Sequence, residues 1–91
     1  MSKKRFASVW DAIEPTEAEN MKLRAKLMRA IIDHIARAGM SQAQAAKLMG
    51  VTQPRISDLV RGKIDLFSID MLINMLAAAG LRVALKVAKA A

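Results

Sequence analysis

The sequence predicts an all-α domain, a bundle of about five helices followed by a short C-terminal β-strand. Three observations carry that expectation. Capping residues precede amphipathic segments at Thr16, Ser41, Thr52 and Ser68. Glycines at positions 39, 50, 62 and 80 follow those segments, where a left-handed residue would end a helix. Beyond Gly80 the apolar period shifts from helical to twofold.

The first long helix is predicted from Thr16, with Glu19 placed to reach back to the cap, through Ala38. Lys22, Lys26, Arg29, Asp33 and Arg37 form its polar stripe. Met21, Ala25, Met28, Ile32 and Ile35, flanked by Leu23, Leu27 and Ile31, form a wide apolar face. A second helix opens at Ser41, with Gln44 completing a capping pattern, and its alanines allow close approach of a neighbour. A third runs from Gln53 to about Arg61, capped by Thr52, with Pro54 in the first turn, where its missing N–H costs nothing. After a loop over residues 63–67, Ser68 caps a fourth helix that ends at Gly80.

Leu81, Val83, Leu85 and Val87 then alternate with Arg82, Ala84, Lys86 and Ala88, which is strand spacing. Ala and Lys are poor strand formers, so a helical continuation is the alternative. A strand here has no visible partner in its own chain, and its backbone groups must pair somewhere. The simplest partner is the same strand of a second copy, which predicts a homodimer. The chain thus divides into an N-terminal arm (residues 1–15), a helical domain (16–80) and a dimerisation tail (81–91). In the arm, Phe6, Val9, Trp10 and Ile13 form an apolar cluster, read either as a lid on the core or as a contact for a partner protein.

Ninety-one residues at 54% hydrophobic content support one core, built from aliphatic residues and seven methionines because aromatics are only 3%. No cysteine is present, which excludes disulfides and thiolate metal sites and is compatible with a reducing cytoplasm. Net charge is +7, and residues 21–91 hold twelve basic and four acidic side chains. That balance suits a polyanion: DNA, RNA or an anionic membrane surface. The longest uncharged apolar run, MLAAAGL, is far too short to span a membrane, and the first ten residues lack the apolar core of a signal peptide, so a cytoplasmic location is expected.

Residues 41–62 carry the functional signal. They form helix, tight turn at Gly50, and helix, with Ala45 and Val51 inward at the crossing and Ile56, Leu59 and Val60 holding the second helix down. This is the helix-turn-helix layout, in which the second helix enters the DNA major groove. Gln53, Pro54, Arg55, Ser57, Asp58 and Arg61 are left facing outward or at the tip. Gln and Arg match adenine and guanine edges in that groove. Double-stranded operator DNA is therefore the expected partner.

The run SQAQAAKLMGVTQPRISDLVRGK resembles the Cro/C1-type (XRE) helix-turn-helix of phage repressors and bacterial regulators, with a lambda-repressor-like bundle implied. Gln42, Ala46, Gly50, Val51, Gln53, Ile56, Ser57, Leu59 and Gly62 fall in register. With SVWDAI, FSIDMLINMLAAAGL and RVALKV, the likeness extends over residues 8–88 to HigA-like antitoxin regulators. The resemblance implies that Gln42 contacts phosphate and that Gln53, Arg55 and Ser57 face bases or nearby phosphates. Asp58 departs from a purely cationic face: it accepts from a cytosine amino group, orients Arg55 or Arg61, or repels phosphate. Helix N-termini near Gln42 and Gln53 suit phosphate oxygens, and Lys47, Arg61 and Lys63 are further phosphate candidates. The plainer reading of each cation is a solvated surface charge.

The function expected is a dimeric, sequence-specific repressor, with Arg55→Ala relaxing one operator position by about 1–3 kcal/mol. The resemblance adds a cognate toxin as a possible protein partner, and the alternative reading makes toxin neutralisation primary and DNA binding secondary. A cationic amphipathic protein at a membrane surface is a third class, opposed by the paired caps and the glycine turn. An enzyme is not expected: no nucleophile–base set, metal-ligand spacing or phosphate-binding glycine loop is present, and no cofactor is implied. His34, the one histidine, has no cysteine or acidic cluster beside it and is read as an ordinary helix residue.

Overall fold

A computed structural model describes residues 15–89 of the chain. The apolar cluster of the arm, Phe6 to Ile13, lies outside the described residues. The described chain forms α1 (Pro15–Ala38), α2 (Gln42–Met49), α3 (Gln53–Val60), a 3-10 turn (Ile64–Leu66) and α4 (Ile69–Ala78). Pro15 is already helical, so Thr16 sits within α1 and not ahead of it as its cap. Whatever caps α1 lies outside the described residues.

The helix ends otherwise follow the local signals. Gly39 at φ 65° ends α1, and the Met40 N–H reaches back to the Ile35 carbonyl at 3.1 Å. Ser68 caps α4 by accepting from the Met71 N–H at 3.1 Å. One face of each helix closes on a common core. From α1 it takes Leu27, Met28, Ile31 and Ile35; from α4, Leu72, Met75 and Leu76; and Phe67, 1% exposed, plugs the end of the 3-10 turn. Ala25, expected on the apolar face of α1, is exposed, because the buried stripe narrows to the arc that α4 and α3 cover.

Two expectations are corrected. Among the described residues there are four α-helices and one 3-10 turn, not about five helices, since residues 81–89 add no further helix. No strand forms over residues 81–89. The Leu81 N–H bonds to the Leu76 carbonyl at 2.9 Å, completing the end of α4, and beyond it the alternating segment finds no ladder partner among the described residues.

Candidate nucleic-acid interface

The turn between α2 and α3 is built from local hydrogen bonds over a dry crossing. Ser41 and Gln44 form a reciprocal capping box: the Gln44 N–H donates to Ser41 Oγ at 3.1 Å, and the Ser41 N–H donates to Gln44 Oε1 at 2.9 Å. Gly50, at φ 71° and ψ 31°, turns the chain in the left-handed region that L side chains avoid. Its N–H and that of Val51 both close on the Ala46 carbonyl. Thr52 then caps α3, its Oγ1 accepting from the Arg55 N–H at 3.3 Å. Ala45 and Ala46 are small enough for α3 to pack against α2, and both are buried.

With Ile56 and Leu59 at 0% exposure, the rotation of about 100° per residue sets every other position of α3. Pro54, Ser57, Asp58 and Arg61 occupy the arc opposite the core, and Gln53 stands at its edge on the exposed tip. Gln53, Pro54 and Arg61 are exposed; Ser57 and Asp58 are half-buried. Val60, expected to pack inward, is 43% exposed, because it lies past the edge of the stripe that Ile56 and Leu59 define. Gln42 is the first residue of α2 and is half-buried, while Lys47 is exposed in the last turn of the same helix.

Arg55 departs from the outward-facing set. Its position falls on the flank of α3, and the side chain folds back over the 3-10 turn. Nη1 donates to the Leu66 carbonyl at 3.3 Å, and the guanidinium lies 5.5 Å from the centre of the Phe67 ring. Asp58 also has a partner that the sequence did not suggest. Its carboxylate is 3.7 Å from Lys63 Nζ, rather than paired with Arg55 or Arg61. With side-chain exposures of 48% for Lys63 and 25% for Asp58, this is a loose surface pair worth no more than about 1 kcal/mol. Arg61, at the C-cap of α3, sits where a cation favours the helix dipole.

One residue missed by sequence reasoning is Arg24 of α1. Its Nη1 donates to the carbonyls of Ile64 at 3.2 Å and Phe67 at 3.3 Å, 40 and 43 residues further along, while Nε donates to Asn20 Oδ1 at 2.7 Å. Only the Asn20 contact, four residues away on the same helix, leaves a local trace. His34 is half-buried on α1, and among the described residues no three His, Cys, Asp or Glu side chains come together to hold a metal ion. No described helix is long and apolar enough to cross a membrane.

Comparison with known proteins agrees with this architecture. A family model described as a helix-turn-helix domain matches residues 9–88. A solved chain named as an XRE-family transcriptional regulator is 34% identical, superposes with a TM-score of 0.73, and is matched over 80% of this chain and 82% of its own. No curated protein matches. The capped α2, the glycine turn and α3 all lie within the matched residues, and this chain belongs to the XRE-type helix-turn-helix DNA-binding transcriptional regulators.

Proposed function

We propose that this chain is a dimeric repressor that reads its operator with the outer arc of α3. The observation that carries the reading is the anchoring of α3 by Ile56 and Leu59, which leaves Gln53, Pro54, Ser57, Asp58 and Arg61 on the free side of a helix narrow enough for the major groove. Gln42, Lys47, Arg61 and Lys63 supply phosphate contacts that give affinity and salt dependence, and the arc supplies sequence choice.

The dimer forms through residues 81–91. Leu85 and Val87 are 68% and 83% exposed, and Ile73 of α4 and Leu81 line a shallow apolar groove with Leu85. Single exposed leucines are unremarkable, but Leu81, Leu85 and Val87 on a segment with no backbone partner among the described residues favour strand pairing with a second copy. Two copies would present two α3 helices to half-sites about 34 Å apart.

Sequencing the fragments selected from a random duplex pool tests both parts. The expected result is a twofold-symmetric motif with half-sites about one helical turn apart. No enrichment over the input pool overturns operator reading, and a lone half-site overturns the dimer. The further role as the antitoxin of a toxin–antitoxin pair, in the cytoplasm, is supported by the HigA-like sequence resemblance alone. Co-purification with a small protein encoded beside it is the expected result, and the lack of such a neighbour overturns it.

A further inference from the structure

Arg24 and Arg55 come from different helices and converge on the same short turn. Their guanidinium groups donate to the carbonyls of Ile64, Leu66 and Phe67 at 3.2–3.3 Å. Arg55 also lies over the Phe67 ring, which is 1% exposed, and Phe67 immediately precedes the cap of α4. The turn thus ties α1, α3 and the start of α4 together. An eight-residue helix such as α3 has little stability of its own, so its placement comes from its tertiary contacts. Ile56 and Leu59 fix which face is inward, but two apolar anchors on one stripe leave the helix free to rock about that stripe. Arg55, on the flank, resists that motion through a directional hydrogen bond and a cation–π contact.

We infer that Arg55 is a positioning residue: with Arg24 it clamps the 64–67 turn and sets the angle at which α3 meets the duplex. Base choice falls to Gln53, Ser57 and Asp58. The inference rests on the operator reading above, and it makes Arg24, which lies on α1 and outside the helix-turn-helix, a determinant of DNA affinity.

The test uses the full chain with Arg24→Met, Arg55→Met and the double variant, each held at a temperature where it is folded. Three quantities are measured: affinity for the wild-type selected site over a range of salt concentrations, the motif each variant selects, and the urea midpoint. Arg55→Met is expected to weaken specific binding about tenfold, the loss of roughly one directional contact, without changing the preferred base at any position. The slope of log K against log salt stays at the wild-type value. Arg24→Met gives the same phenotype, and the double variant loses little more than either single one, because the two act on one turn.

A single relaxed base position in Arg55→Met would make Arg55 a base reader, and a salt slope shallower by about 0.9 would make it a phosphate contact; either overturns the inference. So does full binding by Arg24→Met, or additive losses in the double variant. If Arg55→Met does not fold, Arg55→Gln is read by the same criteria. If the wild-type chain selects no sequence, operator reading fails by itself. The urea midpoints then decide the clamp, with additive destabilisation refuting it and non-additive destabilisation supporting it.

Discussion

Residues 41–62 satisfy their polar ends within a few positions of themselves, through the Ser41–Gln44 box, the Gly50 turn and the Thr52 cap. Residues 82–89 do the opposite. Among the described residues, Leu81 is the last whose backbone N–H finds a backbone acceptor, and Leu85 and Val87 present their side chains to solvent. Both segments carry clear sequence patterns, yet among the described residues only the first completes its structure. A helix closes its hydrogen bonds locally, and a strand cannot. A pattern of period two is therefore an instruction that needs a second party.

The sharpest way to break this contrast is to delete residues 81–91. The expected outcome is a monomer by light scattering, with a urea midpoint that falls far less than after any core substitution; a dimer that persists would refute the role of the tail. Ile56→Ala comes next. Removing a fully buried side chain should destabilise the domain by about 2–5 kcal/mol and abolish operator binding at growth temperature, read by thermal melting and band shift. Gly50→Ala should cost about 1–2 kcal/mol in urea denaturation. A Cβ there meets nothing within 4 Å, so the whole effect is the left-handed backbone at φ 71°. Ser41→Ala loses one half of a capping box and should cost about 1 kcal/mol by the same measurement. The smallest stability effect, within about 1 kcal/mol, is expected for Asp58→Asn, since its partner Lys63 is loose and exposed. That variant should nevertheless change the selected DNA motif, and an unaltered motif would remove Asp58 from the reading arc.

Much of the interface was legible because its signals are short-range. Thr52, Pro54 and Gly50 act on their immediate neighbours, and the spacing of Ile56 and Leu59 decides which residues of α3 face away from the core. What was not legible falls where rotation or distance mattered. Val60 follows Leu59 in an apolar run, but its angle on the helix carries it out of the contact with α2. Arg55 has the chemistry of a base reader and the position of a flank residue, and the nearby carbonyl and ring drew it inward. Asp58 has arginines close by in sequence, whereas the cation it meets is Lys63 in the turn that follows.

By itself, then, the sequence determined the α-helical segments, the caps at Ser41, Thr52 and Ser68, the glycine turn between α2 and α3, and the cationic character of the body, because each depends on residues within a turn or two or on a plain sum of charges. The tertiary structure alone decided where Arg24 and Arg55 point and which side chains share the 64–67 turn. Those partners lie 11 to 43 residues apart, and nothing in local spacing encodes the angle at which distant helices bring a guanidinium to a carbonyl.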